Sequence, residues 1–195
     1  IKNLSRKKGQ SGVALINVLE DGRNEVVAFP GINKNSKSKQ VSNQELEACS
    51  IVIGTMELEE VETSDLFKRA KQNHCLTILN LAPYKKPSKL LLEQTDILVI
   101  NETEFLGLLN KAPQTVDIDF IDKNFSSLNI PSHVNVVITL GDSGVIAYAD
   151  GKRKYFKSRK VKAIDTVGAG DCFVGALGFS LFENPDLFSE VKFAN

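Results

Sequence analysis

The stretch that decides the fold is Asp165-Thr166-Val167-Gly168-Ala169-Gly170-Asp171, followed by the apolar run Cys172-Phe173-Val174-Gly175-Ala176-Leu177-Gly178-Phe179. Two acids bracket a turn of small residues, and the pattern predicts a helix that begins at the second acid. A helix that is apolar on nearly every side is typical of a protein core. We therefore expect its N-terminus to point out of a buried place, with unpaired N–H groups and the positive end of the helix dipole.

The small residues of this turn suit a bound anion. Gly168, Ala169 and Gly170 leave room for phosphate oxygens to reach the backbone N–H groups. Asp171 stands beside them, where a carboxylate accepts a proton from a hydroxyl that attacks the phosphate. The turn therefore predicts an anion hole with Asp171 as a general base. A plain helix start is the alternative, because Asp is a favoured capping residue and Gly-x-Gly occurs by chance.

The composition indicates one soluble domain over residues 1–195. The chain is 42% hydrophobic and carries 24 basic and 24 acidic side chains, enough for a sizeable core and without net charge. Zero net charge argues against nucleic acid or an anionic membrane as a partner. No apolar run approaches the roughly 20 residues that span a bilayer. We expect neither nucleic acid nor a membrane as a partner.

The cysteine pattern and the first residues bear on the cellular location. Cys49, Cys75 and Cys172 are odd in number and lack paired spacing, which favours reduced thiols in the cytoplasm. The chain starts with neither methionine nor the apolar core of a signal peptide. His74 and His133 are isolated from cysteine and from each other, so they predict no metal site.

The first half of the chain begins with a predicted β-hairpin over residues 12–31. Two apolar runs, Val13–Leu19 and Glu25–Phe29, flank Asp21-Gly22, a strong turn dipeptide. A short helix is predicted from Ser42, where a glutamate three residues later completes a capping box.

Strand and helix patterns then alternate. Short runs rich in branched apolar residues, typical of strands buried on both faces of a parallel sheet, lie at 51–53, 76–79, 97–100 and 136–140. Helical patterns lie between them, at about 62–73, 102–109 and 117–128. After Gly144 the pattern indicates a second hairpin, formed by Val145–Ala149 and Tyr155-Phe156. The alternation predicts an α/β protein, a three-layer α/β/α fold with a mainly parallel central sheet.

Three polar stretches follow the predicted parallel strands, at 57–60, 101–104 and 139–144. Ligands of open α/β sheets bind beyond the carboxyl ends of strands. Each stretch has an ordinary alternative: a solvated helix start, a helix cap with glutamate at its third position, and a glycine-rich loop. Their common place at one edge of the sheet favours a binding site.

Taken together, these segments resemble the ribokinase-like carbohydrate kinases, the PfkB family, which phosphorylate a sugar hydroxyl with ATP. The 165–171 turn is similar to the family's second signature, Asn101–Glu104 to its Asn-x-x-Glu motif, and Thr139–Gly141 to its nucleotide-contacting turn. Segments that resemble the ribose-phosphorylating members are Ser11–Ala14, Pro30–Asn33 and Asn80–Pro83, the last with Leu81 where a proline is usual. From Leu81 we expect only a local backbone effect.

The resemblance covers essentially residues 11–195, and it implies a small β lid formed in part by the 12–31 hairpin. Family members are longer at both ends. We therefore expect this chain to lack a substrate aspartate and a Gly-Gly-x-Gly sugar segment upstream. Part of the adenine and cation sites is expected to be missing downstream.

The resemblance also implies roles for single residues. Asp171 is the base on the sugar hydroxyl, and Gly168, Ala169 and Gly170 form the anion hole. The residues placed along ATP are Asn101, Glu104, Thr139, Gly141 and Gly144. Glu104 also acts on Mg²⁺ through water, whereas Asp165 and the Val167 carbonyl are ligands of an activating K⁺ or another monovalent cation. The residues placed on the sugar are Glu59 and, in the lid, Ala14, Ile16 and Ala28.

The activity that this resemblance implies is transfer of the γ-phosphate of ATP to the 5-hydroxyl of D-ribose, in a homodimer formed through the lid. One alternative is another sugar or nucleoside kinase of the family, fructokinase-like or adenosine-kinase-like, because the upstream segments carry much of the sugar recognition. A second is a non-catalytic member that binds sugar or nucleotide. The presence of both Asp165 and Asp171 argues against the second.

Overall fold

The computed structural model describes residues 8–18, 24–162 and 165–195. Near the start of the chain, β1 (Val13–Val18) and β2 (Asn24–Phe29) form a two-stranded antiparallel sheet. The two strands of the first predicted hairpin are therefore confirmed. Leu19 and the Asp21-Gly22 turn lie outside the described residues.

A six-stranded sheet forms the centre of the molecule, and its strands lie side by side in the order of the sequence. They are β3 (Ile51–Thr55), β4 (Leu76–Asn80), β5 (Ile97–Asn101), β6 (Asn135–Thr139), β7 (Val145–Ala149) and β8 (Lys152–Phe156). β3 to β6 are parallel, whereas β7 is antiparallel to both β6 and β8. β8 therefore runs in the same direction as β6. The carboxyl ends of β3 to β6 and of β8 share one edge, here named the carboxyl edge.

Seven α-helices occur in the described part of the chain. They are α1 (Asn43–Glu47), α2 (Glu60–Gln72), α3 (Lys89–Glu93), α4 (Glu102–Leu108), α5 (Ile118–Asn124), α6 (Ala169–Glu183) and α7 (Leu187–Ala194). The sequence patterns did not predict α3 and α7. None of the described helices combines the length and the apolar character that crossing a membrane requires.

The helix predicted over 117–128 ends earlier than its pattern. It is α-helical only to Asn124, and a 3-10 turn, Phe125–Ser127, follows it. The Asn124 side-chain amide donates to the carbonyl of Phe120 at 2.8 Å. Asparagine side chains compete with the backbone in this way near helix ends, so the α-helix stops before the apolar pattern does.

Apolar side chains fill both faces of the central sheet. On one face Leu79, Leu98 and Ile138 pack with helix residues that include Phe67 of α2 and Phe105 of α4. On the other face the core includes Ile78, Val99, Val137 and, from α6, Val174 and Leu177. Successive strand residues point to opposite faces, so a sheet covered on both sides needs uninterrupted apolar runs. The predicted three-layer architecture is confirmed.

Leu81, which stands where the family that the sequence resembles usually has proline, extends the pairing of β4. Its N–H donates to the carbonyl of Val99 at 3.0 Å, a bond that proline lacks the donor to form. Its side chain is fully buried in the core on the face of the sheet that packs against α2 and α4. The substitution thus adds one hydrogen bond and one core side chain, and its direct effects stay next to β4.

Helix α6 differs from its prediction in two respects. It begins at Ala169, before the second acid of the motif, because Gly168 has a left-handed φ of 77° and acts as the N-cap. Its burial is also one-sided, since Phe179 is 64% exposed and Phe182 is 62% exposed. Among the described residues, the sheet and α7 cover only one face of the helix. The prediction of a core helix is thus confirmed for one face of α6, and the opposite face is exposed in the described structure.

The direction of α6 follows from the surroundings of its C-terminal end. Leu181 and Phe182 line a cavity of about 290 Å³ together with Ile51, Leu76 and Ile97. These last three are the first residues of β3, β4 and β5, at the edge opposite the carboxyl edge. The N-terminus of α6 therefore points towards the carboxyl edge.

Candidate active site

The Asn-x-x-Glu motif lies where β5 passes directly into α4. The Asn101 side-chain oxygen accepts from the Glu104 N–H at 2.9 Å, and Oε2 of Glu104 accepts from the Asn101 N–H at 2.8 Å. Such a reciprocal pair is a capping box. The helix-cap interpretation of this motif is confirmed, and the nucleotide contact of the same two residues stays a prediction.

The carboxyl group of Glu104 is buried, with only 4% of the residue exposed. Burial raises the pKa of Glu104, the negative charge of Glu102 adds to the shift, and the hydrogen bond from Asn101 acts in the opposite direction. Burial likewise raises the pKa of Glu102, with a contribution from Asp142. A cation beside these acids would relieve their repulsion. Oε1 of Glu104 has no hydrogen bond within the described residues, which suits a water held by Mg²⁺.

The end of β6 lies beside the end of β5. Asn101 and Thr139 are register partners, and the Thr139 hydroxyl donates to the carbonyl of Ile100 at 3.4 Å. The glycine turn follows, with Gly141 at a φ of 50°. A Cβ on Gly141 would meet no atom within 4 Å. The structure therefore brings the Asn-x-x-Glu motif and the start of the glycine turn together at the carboxyl edge.

Gly144, at the other end of this turn, is needed for packing. Its φ is 111°, and a Cβ there would lie 2.1 Å from the carbonyl oxygen of Phe156 at the end of β8. The Gly144 carbonyl accepts from the N–H of Leu140 at 2.8 Å, which closes the turn. Only glycine fits this backbone and this space. The predicted contact of Gly144 with ATP is a separate matter and stays a prediction.

The turn before α6 is open. The Asp165 carboxylate accepts from the Val167 N–H at 2.8 Å, and Gly168 reverses the chain into the helix. A Cβ on Gly168 or Gly170 would meet no atom within 4 Å. Asp171 lies in the first turn of α6, is exposed, and has no hydrogen-bond partner for its carboxylate among the described residues. The turn leaves space for a ligand, with an unoccupied carboxylate beside it.

Side-chain caps distinguish the helix starts. The five α-helices whose N-cap side chain accepts a backbone N–H bond have, as caps, Ser42, Ser88, Asn101, Asp117 and Asp186. The other two described α-helices, α2 and α6, start at Glu59 and Gly168 without such a bond. First-turn N–H groups without a side-chain cap remain available to water or to an anion. The two uncapped helices are those assigned to the sugar and to the phosphate.

Glu59 follows the carboxyl end of β3. The neighbouring Glu60 carboxylate accepts from the Ser88 N–H at 3.0 Å, and the Met56 N–H donates to the Ala82 carbonyl at 3.0 Å. These bonds hold the start of α2 against the loop that follows β4. Glu59 itself is exposed and its carboxylate has no hydrogen bond in the described part of the chain.

The lid residues share one face of the small sheet. Ala14 pairs with Ala28, and Ile16 pairs with Val26, so their side chains project on the same side. Every one of these side chains is exposed. The structure thus places Ala14, Ile16 and Ala28 on a common exposed face, and their contact with the sugar stays a prediction.

The donors for cations are oxygen atoms. Within the described ranges, no three His, Cys, Asp or Glu side chains converge on one point. One oxygen of Asp165 accepts from Val167, and the other has no hydrogen bond there. Hard cations such as K⁺ and Mg²⁺ take carboxylate, carbonyl and water oxygens, so Asp165 with a backbone carbonyl, and Glu104 through water, fit these two ions.

Sequence motifs did not point to residues 157–162, which lie between the two glycine turns. The Ser158 hydroxyl donates to the carbonyl of Asp142, which ties this segment to the first turn. The signal in the sequence was its four basic residues in six positions. A charge run of this kind is usually only a solvated surface, so sequence alone did not single it out.

Known proteins resemble this chain in sequence and in fold. The model of the pfkB family carbohydrate kinases matches residues 1–195. Ribokinase of Staphylococcus aureus is 32% identical over 200 residues, which cover 100% of this chain and 64% of that protein. The crystal structure of Thermotoga maritima ribokinase has a TM-score of 0.79 at 27% identity, over 97% of this chain and 62% of that one.

A structure of Arabidopsis thaliana ribokinase complexed with ribose and ATP has a TM-score of 0.76 at 23% identity, over 96% of this chain and 61% of that one. At this identity the likeness concerns the fold alone. The chain spans somewhat less than two thirds of the length of its curated relatives. The family model nevertheless matches from the first residue to the last, and the chain belongs to the pfkB family of carbohydrate kinases.

Proposed function

We propose that the full-length protein transfers the γ-phosphate of ATP to the 5-hydroxyl of D-ribose and produces D-ribose 5-phosphate. The observation that carries the proposal is the start of α6, where an uncapped helix N-terminus, open space over Gly168 and Gly170, and a free Asp171 carboxylate coincide. Membership of the carbohydrate kinase family supports the reaction class. The ribokinase relatives, at about 30% identity, support ribose as the acceptor.

Catalysis by this site rests on positioning and on electrostatics. Asp171 takes the proton of the sugar hydroxyl as the oxygen attacks in line, a contribution of roughly 10²–10⁴-fold. The N–H groups from Gly168 to Asp171 hold the phosphoryl oxygens, and they need no reorganisation because the turn is already formed. The carboxylate cannot sit on the phosphate itself, since the two would repel each other.

ATP is proposed to lie along the carboxyl edge. The residues assigned to it are Asn101, Glu104, Thr139, Gly141 and Gly144. Bound Mg²⁺ would neutralise phosphate charge, and Glu104 would hold one of its waters. Asp165 and the carbonyl of Val167 would hold K⁺ and so keep the turn before α6 in its open shape.

The two faces of the lid are proposed to have different roles, one in covering the sugar and one in dimerisation. The face with Ala14, Ile16 and Ala28 would cover the sugar and exclude water, which competes for the phosphoryl group. The opposite face carries Leu15, 62% exposed, and Phe29, 58% exposed. Apolar side chains in such a row are typical of an interaction surface, and we assign this one to the lid of a second copy in a homodimer. A cytoplasmic location is proposed from the cysteine pattern alone.

The second candidate is a kinase of the same family that acts on another sugar or on a nucleoside. Among the described residues assigned to the sugar, Glu59 and Asp171 are the polar side chains. Sugars differ in the pattern of their hydroxyls, and two carboxylates distinguish few of these patterns. A non-catalytic binding protein is the third candidate, and the free carboxylate of Asp171 argues against it.

The test uses the full-length protein with ATP, Mg²⁺ and K⁺, and follows ADP release with D-ribose, D-fructose or adenosine, and without an acceptor. We expect ribose to give the highest kcat/KM and ribose 5-phosphate to be identified by mass. A higher kcat/KM with fructose or adenosine would reassign the acceptor. ATP binding without turnover of any acceptor would favour the non-catalytic protein.

A further inference from the structure

Positive charge is concentrated in one segment of this neutral protein. The run Lys152-Arg153-Lys154-Tyr155-Phe156-Lys157-Ser158-Arg159-Lys160-Val161-Lys162 has seven basic residues and no acidic one, whereas the whole chain has 24 of each. The run comprises all of β8 and the connection towards Asp165. Such a density of one charge needs partners or produces a local positive potential.

The two halves of this run differ in their partners. In β8, Arg153 pairs with Asp122 at 3.0 Å, and the Lys154 ammonium lies 4.5 Å from the ring centre of Phe188. In the second half the basic residues are Lys157, Arg159, Lys160 and Lys162. All four are exposed, and none forms an ion pair within the part of the chain that the structure describes. We name residues 157–162 the basic rim.

The basic rim lies on the carboxyl edge. β8 runs parallel to β6, so the chain leaves β8 at the edge where Thr139 ends β6. The Ser158 hydroxyl donates to the Asp142 carbonyl, and Lys157 lines a cavity of about 610 Å³ with Asp142 and Ser143. From there the chain leads to Asp165 and the turn before α6. The rim therefore connects the two glycine turns of the candidate site.

Two acidic residues at the same edge would repel a nucleotide, and the positive charges of the basic rim would counteract this repulsion. Glu102 and Glu104 lie in the first turn of α4, directly after the carboxyl end of β5. Their negative charge repels the phosphate chain of an approaching nucleotide. The unpaired cations of the basic rim attract it, and they act over about 10 Å at 0.1 M salt. The basic rim thus offsets a repulsion that the two acids of α4 introduce.

We propose that Arg159, Lys160 and Lys162 of the basic rim bind the phosphate chain of a nucleoside triphosphate and position it between the two glycine turns. This inference rests on the proposed kinase function and adds three positioning residues to it. They act through charge on the ground-state nucleotide. Their loss therefore weakens nucleotide binding and raises the KM for ATP, while kcat stays the same.

The test compares two variants of the full-length protein with the wild type. One carries Arg159→Gln, Lys160→Gln and Lys162→Gln together. The control is Lys152→Gln, which removes a charge of the same run at the first residue of β8, about 13 Å from the last residue of that strand at 3.3 Å per residue. Calorimetry gives the Kd for ATP and for adenosine at 0.05 M and 0.5 M salt, and steady-state kinetics give kcat and KM. Circular dichroism checks the fold.

At 0.05 M salt we expect the triple variant to bind ATP roughly tenfold more weakly, since one exposed ion pair accounts for up to about fivefold. Adenosine binding, kcat and all properties of Lys152→Gln should equal the wild-type values. At 0.5 M salt the difference should nearly vanish because screening shortens the range of the charges.

The possible results distinguish the proposal for the basic rim from the proposed kinase function. Equal ATP affinity in the triple variant and the control, with normal wild-type turnover, overturns the inference and leaves the kinase function intact. An equal loss of adenosine affinity also overturns it, because adenosine carries no phosphate. A wild type that binds ATP through these charges but phosphorylates no acceptor supports the rim and refutes the proposed function. A wild type that binds no ATP refutes both.

Discussion

Two glycine turns lie at the carboxyl edge of the sheet, and they differ in the space around their glycines. In the turn between β6 and β7, a Cβ on Gly144 would lie 2.1 Å from the Phe156 carbonyl oxygen. In the turn before α6, a Cβ on Gly168 or Gly170 would meet nothing within 4 Å. The first glycine is required by the protein's own backbone, whereas the second turn leaves its space empty.

The difference supports the proposal that the turn before α6 serves a ligand. Gly170 lies in α6, outside the left-handed region, and glycine in a helix costs about 1 kcal/mol relative to alanine. Nothing in the described structure compensates for that cost. The proposed phosphate, which must approach the N–H groups, would explain it. Gly151, between β7 and β8, is equally open, so the feature that favours access by an anion is the uncapped helix start beside Gly168 and Gly170.

The largest expected effect concerns the acid of the open turn. In the full-length protein, Asp171→Asn should lower kcat by roughly 10²–10⁴-fold, because the amide cannot take a proton from the sugar hydroxyl. The Tm and the Kd for ATP should stay near the wild-type values, since the Asp171 carboxylate forms no hydrogen bond within the described residues. Turnover close to that of the wild type would remove the assignment of the base.

The next effect concerns the crowded turn. Gly144→Ala should lower the free energy of unfolding by about 3 kcal/mol, because it combines a strained backbone with an overlap against Phe156. Gly151→Ala is the matched control, since Gly151 has a φ of 69° and no atom within 4 Å of a Cβ. It should cost about 1 kcal/mol. Urea unfolding measures both, and equal losses would contradict a packing role for Gly144.

Gly170→Ala should change stability and activity in opposite directions. The free energy of unfolding should rise by about 0.5–1 kcal/mol, because alanine favours the helix. The kcat/KM should fall roughly tenfold, as a methyl group enters the space needed by phosphate and weakens donors such as those of an oxyanion hole. Gly170→Val should reduce activity further. A more stable variant with full activity would make this turn a plain helix start.

The smallest effect separates a cap from a nucleotide contact. Asn101→Ala should lower the free energy of unfolding by about 1 kcal/mol through loss of the bond to the Glu104 N–H. Asp186→Ala, which removes the cap of α7 at the opposite edge, should cost about the same. Only Asn101→Ala should also raise the KM for ATP. Equal KM values in both variants would reduce Asn101 to a structural cap.

Much of the fold could be predicted from the sequence, because the signals were local. Strands buried on both faces require apolar runs such as Val136–Leu140, and a short polar residue followed by glutamate at the third position specifies a cap such as Asn101. In the candidate site, the residues placed at the carboxyl edge followed from the rule that parallel strands end together.

Features that depend on distant packing could not be predicted. The five residues of α3 are too few for a helical period, and their consecutive leucines fit a strand equally well. The exposure of Phe179 and Phe182 depends on what covers α6, which no periodicity reports. The sequence does not distinguish Gly144 from Gly168. Gly144 is crowded because the end of β8 packs against it, and no such neighbour lies beside Gly168 among the described residues.

In the central sheet the spatial order of the strands equals their order in the sequence. The sheet can therefore grow strand by strand as the chain emerges from the ribosome. Each strand from β4 to β8 adds to an edge that its predecessor has just formed, so none of these described strands inserts between two earlier ones. Growth along one direction keeps contacts local, which favours rapid folding. At the outer side of the described sheet, β8 carries Lys152, Arg153 and Lys154, and charged residues of this kind on an edge strand discourage another chain from adding to it.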